Sequence, residues 1–425
     1  MNSCKRLQEF FCLAHMLAVS FDLKVLHQSN IHHAHMDYRS RIKEIDALRG
    51  LALFGILWVN IFVFHAPYSH YGAFYGAFEG LDGQLVNFVV DFVSGKFLFI
   101  FAFLFGMGVS IQELVRKTNF LSYHYRRMVV LALFGAIHIL GFWFGDILLT
   151  YALLGLLLTS FIRLSNRWIA TIAFFFFFFR ALYYLGTIWW HWPMVGAEAP
   201  AADLEHFKSV FGHGSFAEIF QLRMLELKSF MPENLVWYIP KTLGVILLGY
   251  LSVRLNMITF IKDFPLKILL IVLALLGLGI AWMLLRGTVF SQFDLEATPL
   301  ARPFLISLNV MAETYLGIAY ILGFLLLFKA LPKISMLFQS LGKMALSNYI
   351  FQSLVCVLIF YGFGAGLYMD LKPTQLTWLT LVIFATQGFL SYLWLKYFKR
   401  GPLEELWRTM TNLRKVRSQT GDHDI

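Results

Sequence analysis

The sequence predicts an all-α fold, a polytopic integral membrane helix bundle of about ten transmembrane helices with both termini cytoplasmic. Three observations predict it. The 425-residue chain is 59% hydrophobic and 14% charged, against about 25% charged in ordinary soluble domains. Mostly apolar stretches of about 18 residues recur along its length, enough to cross a bilayer as helix, and helix satisfies every backbone group without water. The basic residues gather on one side. Arg116, Lys117, Arg126 and Arg127, then Arg163 and Arg167, then Arg254, Lys262 and Lys267, then Lys329, Lys333 and Lys343 fall in alternate connections. The loop from His65 to Asp82 and the turn Gly145–Asp146 hold no Lys or Arg. This is the positive-inside pattern. The net charge of +10 therefore reports topology and attraction to anionic lipid headgroups at the cytoplasmic face, with no nucleic acid as partner.

In chain order, residues 1–35 read as a poorly ordered N-terminal tail. An apolar stretch, Phe10 to Phe21, has no small-residue cleavage site after it and is not read as a signal peptide. His27, His32, His33 and His35 lack a Cys or carboxylate at ligand spacing, so no metal site is expected there. Met36 opens the coherent part and is expected to be the natural start. Residues 36–400 form the bundle, with spans over 47–64, 96–114, 125–144, 147–162, 168–189, 235–252, 266–286, 303–328, 341–363 and 374–396. An outer loop near 190–234 is too short for an independent catalytic domain. Residues 401–425 read as a cytoplasmic surface helix and tail. Pro402 suits a first helical position, and Glu404 and Glu405 complement the positive helix start. Leu403, Leu406, Trp407 and Met410 give an apolar side, with Arg408, Arg414, Lys415 and Arg417 for headgroups. Cys4, Cys12 and Cys356 imply no disulfide framework. There is no phosphate-loop, zinc-protease, nucleophile-elbow or dinucleotide-binding motif.

The chemistry therefore has to come from polar groups inside the spans. Asp46, Arg49 and Asn60 fall within roughly 60° of one helix face, with Asp46 and Asn60 about 21 Å apart in height. Such a stripe should face a bundle interior or a wet cavity rather than lipid. The third span repeats the design: Arg127 and His138 are about 16 Å apart in height on one face, Arg126 adjoins the inner end, and Asp146 follows at the outer turn. Arg180, after six phenylalanines, and Glu313 both lie near the midplane, where unpaired charge is costly. They read equally as a buried ion pair fixing registry or as part of a substrate or proton pathway, and are expected to face each other or share a wet pocket. Asn348 and Gln352 form an i, i+4 polar stripe, and the run Tyr361-Gly-Phe-Gly-Ala-Gly366 permits unwinding or close packing.

These pieces resemble the YeiB-like family of polytopic bacterial membrane proteins, in the cytoplasmic (inner) membrane. The matching motifs are Asp46-Ala-Leu-Arg-Gly through Val59-Asn60, Phe103-Leu-Phe-Gly-Met-Gly108, Tyr125-Arg-Arg127 with His138, and Gly145-Asp-Ile-Leu148. Gly342-Lys-Met-Ala-Leu-Ser-Asn-Tyr349 with Gln352-Ser353, and Gly401-Pro-Leu-Glu-Glu-Leu-Trp-Arg408, complete the set. The opening from Asp46 to Asn60 also resembles the transmembrane acyltransferases of the heparan glucosaminide acetyltransferase type. That resemblance implies acyl transfer from cytoplasmic acyl-CoA, through an intramembrane Asn and a nearby His, to an acceptor on the far side. Asp46, Arg49, Gly50 and Asn60 match it; His70 stands near the offset of the histidine and His65 further from it.

Three functions follow as alternatives. In an acyltransferase, Arg49, Arg126 and Arg127 would hold CoA phosphates, a neutral His would accept the acceptor's proton, and the Asn60 amide would donate to the thioester oxyanion. A small-solute transporter would use midplane charges and glycine-interrupted helices around a central site. A non-catalytic membrane partner explains the fold but not the stripes. A chain starting at Met36 should insert into membranes as the full chain does; loss of insertion would show that residues 1–35 are required.

Overall fold

A computed structural model describes residues 43–191, 203–257, 261, 263–293, 298 and 300–419, with side chains to residue 412. The expectations for residues 1–35, for Met36 and for residues 420–425 lie outside it. The first spanning helix is α1 (Lys43–His65). A 3₁₀ turn (Tyr68–His70) and two short helices, α2 (Tyr71–Tyr75) and α3 (Gly80–Phe88), follow. A π turn (Val89–Val93) and Gly95, in the left-handed region at φ 76°, then redirect the chain, as glycine can without strain. Next come α4 (Lys96–Arg116), α5 (Phe120–Gly141), α6 (Leu148–Leu158), α7 (Asn166–Phe177), α8 (Phe179–Trp189), α9 (Leu204–His213) and α10 (Phe216–Glu233). The chain continues as α11 (Ile239–Arg254), α12 (Pro265–Phe290), α13 (Ala301–Ala330), α14 (Pro332–Lys343), α15 (Ala345–Phe360), α16 (Pro373–Tyr397) and α17 (Pro402–Gln419). Among the described residues there is no strand.

All ten expected spans fall on helix, which makes this an all-α, multi-pass membrane bundle. By length and composition six segments can cross a bilayer, or eight if each of two bent pairs is one span. One of the six, Gly80–Gly141, is 62 residues long and holds both α4 and α5, parted by the turn Lys117–Asn119. Two expected spans are not straight: α7 and α8 meet at 58°, and α14 and α15 at 78°. The segment 147–162 contributes only the 11-residue α6, about 16 Å of helix, half of a bilayer core of about 30 Å.

Glycines let the helices approach backbone to backbone. A Cβ at Gly342 of α14 would stand 1.8 Å from the Asp46 carbonyl oxygen of α1, and one at Gly50 would stand 2.1 Å from the Phe338 carbonyl oxygen. Gly106 and Gly249 join α4 and α11 in the same way. Between membrane helices, where lipid removes the hydrophobic drive to associate, such close packing is a main source of attraction. Gly362, in the glycine run after α15, approaches α9 and donates its N–H to the Phe211 carbonyl (2.7 Å), so this run serves close packing.

Helix ends inside the bundle are closed by side chains from elsewhere. The 78° bend exposes a fresh helix start at α15, and the Glu404 carboxylate of α17 accepts from Leu346 N (2.7 Å), Ser347 N (3.1 Å) and Ser347 Oγ (2.5 Å). Anionic acceptors suit that end of a helix. At the last turn of α5, Arg223 donates to the carbonyls of Phe142 (2.6 Å) and Leu140. Arg254 does the same for Ile162 (2.5 Å) and Leu164 (3.1 Å). The cap sets how α17 is turned. Trp407, expected on a membrane-facing apolar side, instead donates its Nε1–H to the Arg127 carbonyl (2.9 Å) and stacks under the Arg127 guanidinium, while Leu406 stays exposed.

Gly342→Val should prevent the α1–α14 approach and abolish recovery of folded protein in detergent. Glu404→Ala should lower stability by about 1–3 kcal/mol, because three donors lose one partly buried acceptor; thermal unfolding checks both.

Candidate functional site

The most chemically suggestive grouping lies where α5, the turn before α6 and α15 meet. His138, 0% exposed, stands in the last turn of α5, which Arg223 fixes from outside. Its Nε2 is 2.8 Å from Ser353 Oγ on α15, and its Nδ1 is 3.0 Å from Asp146 Oδ1. That second approach is short but poorly aligned for a hydrogen bond. The other Asp146 oxygen accepts Leu149 N–H at 2.6 Å, so the carboxylate caps the start of α6 while facing the imidazole. The three groups lie in the order carboxylate, imidazole, hydroxyl, an arrangement recognised by geometry rather than by sequence position. The Tyr349 ring packs 5.2 Å from that of His138, and its hydroxyl accepts Ile147 N–H at 3.4 Å.

Asn60 reaches the same level from α1. Trp58 turns outward to α16, where it donates to Thr377 Oγ1 (3.1 Å), and Asn60 is about 200° further round the helix. One turn above Asn60, Phe64 stacks on Trp143 with centroids 4.2 Å apart. Trp143 N–H donates to the His138 carbonyl (3.0 Å), so His138 is likewise one turn inward of that stack. Ile56, Leu57 and Phe64, a turn to either side of Asn60, are 1% exposed; Asn60 keeps accessible surface. Its amide has no hydrogen-bond partner among the described residues.

The two candidate histidines after α1 are placed differently. His65 is fully buried: Nε2 accepts Leu371 N–H (2.9 Å), and Nδ1 donates to Tyr75 Oη (2.9 Å), whose hydroxyl donates to the Phe62 carbonyl (2.9 Å). Nε2 thus holds the loop before α16 and Nδ1 holds the end of α2, so both ring nitrogens are used in structure. His70 is half-buried, with Nδ1 2.9 Å from Ser69 Oγ, and Nε2 makes no hydrogen bond among the described residues. Beside it the buried Glu226 accepts from Tyr68 N (2.6 Å) and Ser69 Oγ (2.5 Å). Burial, then the hydrogen bond to Glu233, holds the Tyr68 phenol above its usual range.

Charges collect at the end of the bundle remote from the basic loops. Glu313 of α13 is paired with Lys241 of α11 and lies within electrostatic reach of Lys96 and Arg180. Arg180 and Glu313, expected to face each other or to share a wet pocket, do not pair directly. Arg180 instead stacks over the Trp237 ring at 4.4 Å, because the bend between α7 and α8 redirects it, and Lys241 stands closer to the carboxylate. The two share one neighbourhood without forming a pair. Asn348 and Gln352 are engaged with α16: Asn348 donates to Ser391 Oγ (3.0 Å) and the Leu341 carbonyl (3.1 Å), and Gln352 donates to Gln387 Oε1 (2.9 Å). Their amides join two helices. At the basic end, Arg49 bonds Asp46 (3.1 Å) near Gly108 of α4, Arg126 is half-exposed, and Arg127 lies against Trp407. Among the described residues no group of His, Cys, Asp and Glu converges as a metal site.

A family model described as a protein of unknown function (DUF418) matches residues 253–414, which hold Ser353 and Glu404. The chain is 30% identical over 406 residues to the uncharacterized protein YxaH of Bacillus subtilis, covering 88% of this chain and 94% of that one. It is 28% identical over 383 residues to the uncharacterized protein YeiB of Escherichia coli, covering 86% and 95%. The chain belongs to the YeiB-like DUF418 family. No solved structure matches it, so the placement of Asn60, His138 and Ser353 in this DUF418-family chain rests on its own geometry.

Sequence reasoning missed Ser353 as the partner of His138, and Lys96, Lys241, Asp91 and Arg286 as charged neighbours. A signal for the last four was present. They are charges at the non-basic ends of their spans, where the positive-inside pattern calls for few cations. The Lys241–Glu313 pair should behave as a coupled unit. Lys241→Met alone should cost more than the double change with Glu313→Gln, with a coupling of about 1–3 kcal/mol, below the range for fully buried pairs because a third of Glu313 remains accessible. Additive losses in thermal unfolding would show that the pair is not coupled.

Proposed function

We propose that the protein is an inner-membrane acyltransferase that moves an acyl group from cytoplasmic acyl-CoA to an acceptor at the outer side. The observation that carries the reading is the Asp146–His138–Ser353 line at the level of Asn60. Asp146 beside Nδ1 favours the tautomer with its proton there, leaving Nε2 to accept from Ser353. An acceptor hydroxyl or amine attacks the thioester carbonyl and passes its proton through the Ser353 hydroxyl to His138. The Asn60 amide donates to the oxyanion. The carbon–sulfur bond then breaks, and the proton held on His138 goes to the departing thiolate.

The other candidates take supporting parts. Arg49 and Arg126 supply cations for the CoA phosphates at the basic end, and Arg127 anchors Trp407 of the C-terminal helix. Basic residues on that helix supply attraction to anionic headgroups. His70, with Nε2 open, is the alternative base; His65, with both nitrogens engaged, is assigned to structure. The charged neighbourhood around Glu313 favours the transporter as the second reading, since ionisable groups inside a membrane commonly mark substrate or proton paths.

In nanodiscs, acetyl-CoA should bind and release CoA thiol in the presence of acceptor. Asn60→Ala should cut turnover by about 10²–10³-fold with binding retained, and His138→Ala should abolish it where His70→Ala does not. Absence of acetyl-CoA binding, together with solute uptake into vesicles, would replace this reading with the transporter.

A further inference from the structure

The charged neighbourhood at the non-basic end is not neutral. Among the described residues four cations, Lys96, Arg180, Lys241 and Arg286, stand against two carboxylates, Asp91 and Glu313, and Arg302 and Glu233 add one charge of each sign at the Arg180 side. Arg286 of α12 pairs with Asp91 in the π turn, Lys241 pairs with Glu313, and Lys96 lies within electrostatic reach of all four. Among the described residues that leaves Lys96 and Arg180 without an ion pair of their own. Lys96 is 2% exposed, and its ammonium, with three N–H donors, makes no hydrogen bond among the described residues. The Arg180 Nε is also buried without an acceptor. Buried cations left in this state are costly, and proteins normally supply a counter-charge.

The position of the cluster says what kind of counter-charge fits. Lys96 is 20 residues before Arg116 on α4, about 30 Å from the basic end, and Lys241 is 13 residues before Arg254 on α11, about 20 Å away. The cluster therefore runs from the far bilayer edge toward the midplane. Glu313, Arg286 and Asp91 retain 34%, 32% and 20% of their side-chain surface, so it is open rather than sealed. Its rim is apolar. Met283, Ala312 and Leu316 form a buried cluster with Phe92, Leu276 and Trp282 packed against it, and Leu284 and Leu285 on α12 face outward. An anion bound here would have cations at its head and hydrocarbon beside it.

We infer that Lys96, Arg180, Lys241 and Arg286 form a binding site for a phosphate-bearing anion, entered from the outer half of the bilayer. An excess of two cations matches the charge of about −1 to −2 on phosphate groups at neutral pH. Lysine ammonium and arginine guanidinium are the side chains that recognise phosphate oxygens. This site stands whether or not the protein transfers acyl groups, since its evidence is charge and burial at other residues.

The test uses the full chain in two arms. In nanodiscs, native mass spectrometry compares retention of phosphatidylglycerol with that of zwitterionic phosphatidylcholine. In detergent without anionic lipid, inorganic pyrophosphate is titrated while the unfolding temperature is read. Preferential retention of phosphatidylglycerol identifies a lipid headgroup as the source; a saturable rise in unfolding temperature with pyrophosphate identifies a free anion. Either signal should fall at least tenfold in affinity in Lys96→Met and return in Lys96→Arg, with Lys228→Ala, at an exposed position of α10 outside the cluster, unchanged. If Lys96→Met does not fold, Arg286→Gln serves as the second variant. No binding in either arm, or binding that survives loss of both Lys96 and Arg286, would overturn the inference.

Discussion

A polar or charged group inside a bilayer has no water to fall back on, so each one must be met by another group of the protein. That constraint organises this bundle. Glu404 closes the start of α15, Arg223 and Arg254 close the carbonyl ends of α5 and of the turn after α6, and Asn348 and Gln352 knit α15 to α16. His65 uses one ring nitrogen to hold the loop before α16 and the other to hold Tyr75 of α2. Because most such groups are answered, the few that are not carry information. Among the described residues, those left unanswered include the Asn60 amide, the Lys96 ammonium and the buried Arg180 Nε. All three lie in the half of the bundle away from the basic loops, with the Asp146–His138–Ser353 line at the level of Asn60.

The fold was legible because membrane insertion writes itself into composition. Apolar length locates the spans, and the placement of Arg and Lys orients them, with no knowledge of tertiary contacts. The bends were not legible. Phe177-Phe178-Phe179 and Lys343-Met344-Ala345 contain no proline or glycine, and the second bend depends on a cap delivered by Glu404, nearly sixty residues downstream. The rotation of α17 was missed for the same reason. Its apolar side chains are real, but the cap on α15 decides that Trp407 turns toward Arg127.

The candidate site was legible in part. Isolated polar residues in apolar spans pointed to Asn60, His138, Arg180 and Glu313, since each is expensive where it stands. Their partners were not visible. A serine in a span is cheap, because its hydroxyl can bond the preceding turn, and Ser353 therefore gave no warning that it meets His138 from another helix. Lys241 hid at the start of a span, where snorkelling makes lysine ordinary, although its side of the membrane made it anomalous. Depth together with sidedness is the more discriminating reading.

The structure divides the bundle chemically. The basic end offers cations and the Asp46–Arg49 pair, the middle offers Asn60 and His138, and the far end offers a cation-rich recess with an apolar rim. An enzyme joining a cytoplasmic donor to an outer acceptor needs these three zones in this order. The most direct measurement is an experimental density map of the protein in nanodiscs with acetyl-CoA. The account predicts CoA phosphates beside Arg49 and Arg126, and the thioester carbonyl within hydrogen-bonding distance of the Asn60 amide. A map showing acetyl-CoA elsewhere, or Asn60 walled off from any bound thioester, would contradict it.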